Sequence, residues 1–418
     1  MNQPGILLHL FSLSGLPVPV ALYIYTAANV VVVSFVPAAL FSGDRRAAVY
    51  PRLAAPWLRA LGRSPAVRVA GGLLGVLGLA AFLAAGASGR LPPPYVLWTW
   101  LWAALVPIAA LAGSAWPLVN PWAAIHDAAA RVVRWRAPLT LPAGTGIWPA
   151  AGAYLGIALV GMAAGPDRPG LVALLVAGYT VLTLAGMVCF GRDEWLTSCE
   201  GFTVLFSLVG RFGPVETARD AAGRLTDVWL RPWGAGLLQR QRGGPDRIGF
   251  VVLLLSTLAF DGLAATGSWQ AVAPALGRAA VPIGMFAAAA AFLVVLVVFV
   301  RLVLAAAGAR RDDPGAATAF VLTLVPIALL YHTALSWGFV LAGIRPPLPL
   351  RADLIWYVQL TLVVLGHAIA VYLAHLRAGE RFRSARRSML GQYPMVVLLV
   401  LYTMTSMWIL AQPTTAVQ

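Results

Sequence analysis

Residues 280–306 read AVPIGMFAAAAAFLVVLVVFVRLVLAA, an apolar run interrupted by one charge, Arg301. About 20 apolar residues of helix cross the hydrocarbon core of a bilayer, so this stretch reads as a membrane span. Nine more apolar stretches follow the same rule, at 18–40, 69–87, 95–113, 146–162, 170–190, 248–268, 316–341, 354–376 and 393–409. The composition agrees: 60% of the 418 residues are hydrophobic and only 11% charged, against about 25% charged in a soluble domain. The expectation is an all-α, polytopic transmembrane helix bundle of ten spans. It forms a single integral membrane domain, 1–418, with a cytoplasmic loop at about 191–247.

The arginines orient the bundle. All 30 basic residues are arginine, and they crowd into alternate gaps between spans. The gap at 41–68 holds Arg45, Arg46, Arg52, Arg59, Arg63 and Arg68, whereas the next holds Arg90 alone. Arg131, Arg134 and Arg136, the 191–247 segment, Arg310 with Arg311, and the run from Arg377 to Arg387 complete the rich side. The poor side has Arg90, Arg168, Arg278, Arg345 and Arg351. Positive loops stay in the cytoplasm, so both termini are expected outside. The net charge of +15 is accounted for by anchoring to the membrane surface, and no nucleic-acid partner is expected. Residues 1–16 lack the charged start and small-residue cleavage site of a secretory signal. Cys189 and Cys199 lie near the reducing inner face and make neither a disulfide nor a zinc motif.

Several local readings follow. Gly71/Gly75 and Gly152/Gly156 have the spacing of close helix contacts. Asn120-Pro121-Trp122 reads as a capped helix start. The helix after it sorts Ile125, Ala129, Val132 and Val133 to an apolar side, with His126, Asp127, Arg131 and Arg134 opposite, as a surface helix would. The apolar stretch 201–212 is too short to span and reads as interfacial or re-entrant. Beyond it, 214–247 reads as a solvated loop with a short helix near 219–230.

Soluble-enzyme motifs for phosphate loops, zinc proteases and serine hydrolases are absent. Chemistry must therefore come from polar residues on separate spans. Asp261, His332 and His367 lie inside spans, where a charge costs about 2.5–3.5 kcal/mol or more and normally has a partner. Asp261 paired with a histidine would relieve that cost, but similar depth alone does not place the three side by side. Pro326 should kink the eighth span less than two turns before His332, and Gln359 lies on the same helix as His367. Asn29, midway along the first span, is expected to bond a neighbouring helix. Asp193, Glu194 and Glu200 cluster at the inner end of the fifth span, with Arg192 beside them to form an ion-pair network.

Several separated motifs in one order resemble a known family. They are Leu16-Pro17-Val18-Pro19, Leu118-Val119-Asn120-Pro121-Trp122, Gly191-Arg192-Asp193-Glu194-Trp195-Leu196, and Phe260-Asp261-Gly262-Leu263. Further along come Ile355-Trp356-Tyr357-Val358-Gln359, Gly366-His367, Ala374-His375 and Gln392-Tyr393-Pro394-Met395. Together they make the chain similar to the polytopic bacterial membrane proteins called fenitrothion hydrolases. The resemblance implies a protein of the bacterial plasma membrane that hydrolyses organophosphorus triesters, small apolar molecules that partition into lipid. The chain departs from the family pattern in lacking a second histidine shortly after His332, where Ala334 and Leu335 stand.

On that reading His332 or His367 activates water or holds a divalent metal, and Asp261 orients the imidazole. Gln359, Arg345 and Arg351 then contact substrate, the arginines meeting phosphoryl charge. Two other classes remain open from the residues. One is a transporter with a proton or metal relay through Asp261 and His367. The other is a structural subunit that docks a partner through the 191–247 segment.

Overall fold

The computed structural model describes residues 19–40, 52–88, 94–133, 136–164, 168–220, 225–239, 244–306, 308, 314–343, 352–382 and 385–411. Both termini lie outside the described residues. The chain is a helical membrane protein. Among the described residues seven helices are long and apolar enough to span: Pro65–Ser88, Pro169–Phe190, Pro245–Ala264, Gly267–Ala306, Gly315–Ser336, Leu354–Glu380 and Arg386–Leu410. Three shorter apolar helices, Ala21–Phe35, Ala103–Ala112 and Trp148–Ala163, stand at the first, third and fourth expected spans. Contacts group the chain into two compact units, residues 50–236 and residues 2–49 with 237–418.

Helix α1 (Val20–Leu40) belongs to the second unit. The first unit then runs β1 (Leu53–Ala54), α2 (Pro56–Arg63), α3 (Pro65–Ser88), α4 (Pro94–Ala112), α5 (Trp116–Val119), α6 (Pro121–Val132) and α7 (Trp148–Ala164). It continues with α8 (Pro169–Phe190), α9 (Arg192–Ser198), α10 (Gly201–Val209), β2 (Val215–Arg219) and β3 (Leu225–Leu230). Gly71 and Gly75 are a packing seam: a Cβ at Gly75 would stand 1.9 Å from the Val119 carbonyl oxygen, and one at Gly71 2.6 Å from that of Leu118. Gly152 and Gly156 are not, for among the described residues nothing lies within 4 Å of a Cβ placed on either.

Three expectations for this unit are corrected. Among the described residues of 219–230 there is no helix but strand. Strands β2 and β3 pair antiparallel, and β1 joins the other edge of β3, giving the order β1-β3-β2. Charged residues alternating with β-branched ones hid the strands, and those charges have distant partners. Arg52 and Arg231 flank Glu216 at 3.4 Å each, and Arg59 meets Asp227 at 3.2 Å. Second, α6 starts at Pro121 as expected, with Asn120 Oδ1 accepting from the Ala123 N–H at 3.0 Å. Its sides are not divided as expected, however: His126 is buried with Trp122 and Ala123, Val132 is 85% exposed, and Ile125 and Asp127 are both half-buried. Packing against α3 and α8 decides this, with Trp122 Nε1 donating to Thr180 Oγ1 at 3.0 Å. Third, of the two readings of α10 the interfacial one is set aside, because the helix is buried in protein. Phe202 and Phe206 pack with Trp116, and Phe202 also with Trp122 and Tyr179.

The second unit adds α11 (Pro245–Ala264), α12 (Gly267–Leu276), α13 (Ala280–Ala306), α14 (Pro314–Val321), α15 (Val325–Gly343), α16 (Ala352–Arg381) and α17 (Ala385–Leu410). Helix α16 packs against α15, α17 and α1, and α13 against α17 and α11. Tyr331, Ala334 and Leu335 of α15 share a core with Trp356 and Val363 of α16, Met407 and Leu410 of α17, and Ala27 of α1. Asn29 is exposed rather than turned into that core.

Candidate functional site

The eighth span is broken where its proline requires it. A turn of 3-10 helix, Leu322–Leu324, joins α14 to α15 just before Pro326. Proline has no N–H to give the Leu322 carbonyl, so the regular ladder stops there. The Pro326 carbonyl lies close to α16. A Cβ on Gly366 would lie 3.0 Å from that oxygen and 3.2 Å from Leu330 Cβ.

Less than two turns further along α15, His332 Nε2 lies 3.1 Å from Ser336 Oγ. Residues four apart share a helix face, so the backbone alone sets this pair. Most helical hydroxyls nearby do something else. Thr333, Thr361, Thr403 and Thr405 donate to the carbonyl four residues earlier, at 2.7 to 2.9 Å. Ser336 instead meets an imidazole. With the ring proton on Nδ1, Nε2 accepts from the hydroxyl, which is the arrangement of a nucleophile and its base. Ser336 is buried and His332 half-buried.

Helix α16 carries Gln359, His367 and His375 at intervals of eight residues, all buried. Eight residues rise about 12 Å, so none touches the next. Gln359 Nε2 donates to the Ala334 carbonyl of α15 at 3.0 Å. Ala334 is about 200° round the helix from His332, so Gln359 and the His332–Ser336 pair lie on different faces. His375 donates through Nδ1 to Gln392 Oε1, and the Gln392 amide donates to the Ser388 carbonyl at 2.8 Å. His367 is fully buried and donates through Nδ1 to the Val363 carbonyl at 2.8 Å. That bond places the ring proton on Nδ1 and leaves Nε2 a bare lone pair. Nε2 has no hydrogen-bond partner.

Asp261 pairs with neither histidine among the described residues. It is half-buried on α11, within electrostatic reach of Tyr331. A Cβ on the neighbouring Gly262 would lie 2.7 Å from the Tyr331 hydroxyl, so the absence of a side chain there lets that group approach α11. The Tyr331 hydroxyl is buried and unpartnered, like Trp356 Nε1 in the same core. Arg345 and Arg351 lie outside the described residues. Among the described residues no three of His, Cys, Asp and Glu gather to hold a metal ion.

The acidic cluster at the C-terminal end of α8 disperses. Asp193 pairs with Arg192, whose Nε also lies 2.7 Å from Asp127 Oδ1. Glu194 accepts from the Leu141 N–H at 3.2 Å. Glu200 is fully buried and caps α10, accepting from the Phe202 and Thr203 N–H groups at 2.9 and 2.7 Å and from the Tyr179 hydroxyl at 2.7 Å. Burial pushes its carboxyl above the ordinary carboxylate range, against the pull of those donors.

Ser336 was not singled out from sequence. The signal was present, a histidine and a serine four apart on one helix, but such pairs are common and only the hydroxyl's turn to the ring distinguishes this one. No known protein family, curated protein or solved structure matches the chain.

Proposed function

We propose that the chain is a ten-span protein of the bacterial plasma membrane, with both termini outside, that hydrolyses apolar organophosphorus triesters. Ser336 is the nucleophile and His332 its base. The observation that carries this reading is the 3.1 Å contact between Ser336 Oγ and His332 Nε2. The motif resemblance to fenitrothion hydrolases supports the substrate class.

In the first step the Ser336 oxygen attacks phosphorus and the P–O(aryl) bond breaks. The hydroxyl proton passes to His332 Nε2 and on to the departing nitrophenolate. Water, deprotonated by the same nitrogen, then cleaves the P–O(Ser336) bond. That proton returns to the serine oxygen and the diester leaves. A site within the bilayer suits a substrate that concentrates in lipid.

The test follows nitrophenol release from fenitrothion by membranes of a host lacking the activity, at matched protein levels. Ser336→Ala and His332→Ala are expected to lose about 10²-fold or more, and mass spectrometry to find the phosphorus adduct on Ser336 of the wild type. Full activity in Ser336→Ala would remove the serine from the mechanism. No release above empty membranes, with the protein folded, would sink the hydrolase reading.

A second reading is favoured by a separate observation, the unpartnered Nε2 of the buried His367. A lone pair held inside a membrane bundle is a proton-accepting site, as a proton-coupled transporter needs. Vesicles enclosing a pH-sensitive dye would then lose a pH gradient through the wild type, and His367→Leu would stop the loss.

A further inference from the structure

Helix α2 is eight residues long, and its two sides have opposite partners. Arg59, Gly62 and Arg63 face the sheet. Arg59 Nη1 meets Asp227 Oδ1 at 3.2 Å, and Arg63 donates to the Leu225 carbonyl at 2.7 Å and that of Thr226 at 3.2 Å. A Cβ on Gly62 would lie 2.8 Å from Leu225 Cδ2, so helix and strand are in close contact there. On the other side Trp57 and Leu61, one turn apart, are 64% and 51% exposed, and Leu53 of β1 is 67% exposed. Thus the charged side of α2 is held by protein and the apolar side is uncovered, the reverse of a helix on a soluble domain.

What covers the apolar side follows from the chain's path. Only Ser64 separates α2 from Pro65, the first residue of the α3 span. The helix therefore lies within a residue or two of the membrane end of that span. Tryptophan is enriched at that depth, and a short amphipathic helix there buries its apolar face at the boundary of headgroups and acyl chains. Arg68, in the first turn of the α3 span, is exposed beside this helix in the chain. Its charge is of the kind that anionic headgroups attract.

We propose that α2 is a membrane-surface strap. Trp57, Ala60 and Leu61 sit in the headgroup layer of the bilayer that the chain spans. Arg59 and Arg63, on the opposite side, hold the β1-β3-β2 sheet against that layer. The sheet is thereby a fixed platform on the membrane surface, on the arginine-rich side of the first unit.

The test places a nitroxide label at Leu61→Cys in the full chain, in lipid nanodiscs containing phosphatidylglycerol, with Cys189→Ser and Cys199→Ala. Accessibility to oxygen and to a water-soluble nickel complex is compared with two reference labels. Leu74→Cys, exposed in the middle of α3, reports lipid, and Thr217→Cys, exposed on β2, reports water. Position 61 is expected to be oxygen-accessible like 74 and protected from nickel at least several-fold relative to 217. Nickel access equal to 217 would overturn the proposal in favour of a solvated helix. Protection from both reagents would overturn it in favour of a protein contact. Ala60→Cys, on the same face, repeats the measurement should the Leu61 variant misfold.

Discussion

Glu200 in the first unit and His367 in the second are both fully buried ionisable groups, and their surroundings differ in kind. Glu200 accepts from two backbone N–H groups and the hydroxyls of Tyr179 and Thr203. His367 has one nitrogen bonded within its own helix and the other bonded to nothing. A buried polar group that is fully satisfied holds structure together, whereas one left open costs stability and is available for chemistry. By that standard Glu200 is a clamp. Buried atoms left open in the second unit include those on Tyr331, Trp356, His367 and Tyr402.

The sharpest way to break the contrast is Glu200→Ala. It strands several buried donors at once, and the expected loss is on the order of 4 kcal/mol, read as a fall in the thermal midpoint in detergent or as failure to fold. Glu200→Gln keeps an acceptor oxygen and should lose less. Gly75→Ala comes next, because its methyl would meet the Val119 backbone oxygen. A cost of about 1–3 kcal/mol is expected, against none resolvable for Gly156→Ala, where the space is open.

His367→Leu should leave the thermal midpoint unchanged or raise it, by about 1 kcal/mol in stability, since an unmet polar atom is removed from an apolar site. A loss as large as that of Glu200→Ala would show that Nε2 has a structural partner and would end the comparison. The smallest effect is on pH. The folded-state carboxyl of Glu200 is raised above its unfolded value of 4.5, so the folded state holds the proton more tightly. Its contribution is most favourable below pH 4.5 and declines as pH rises through the folded value. The pH slope of the midpoint in that window should flatten in Glu200→Gln.

Legibility divides along the range of the interactions involved. The Pro326 break and the Asn120 cap were readable because each is decided within four residues. The Gly71/Gly75 seam was readable as a spacing, yet Gly152/Gly156 has the same spacing and no neighbour. The sheet was missed because Glu216 and Asp227 look like loop residues until Arg52 and Arg59 are brought to them from more than 160 positions away. His126 was assigned to the solvated side of α6 because the pattern of one helix does not say which neighbours will cover it. At the site, His332 and His367 were found as ionisable residues at membrane depth. Ser336 was overlooked, and the neighbour of Asp261 was not readable, because depth along a span does not say which helix lies beside it; Tyr331 is within its electrostatic reach.

The sequence by itself determined that this is a helical membrane protein and where its long apolar helices run, because apolar length is a local property that the bilayer reads directly. Only the tertiary structure decided which polar groups are satisfied. Glu200 is enclosed by donors from α8 and α10, α2 is fastened to a sheet, and His367 keeps an open nitrogen. Each outcome depends on which helix packs beside which, and hydrogen-bond partners are assigned by that packing.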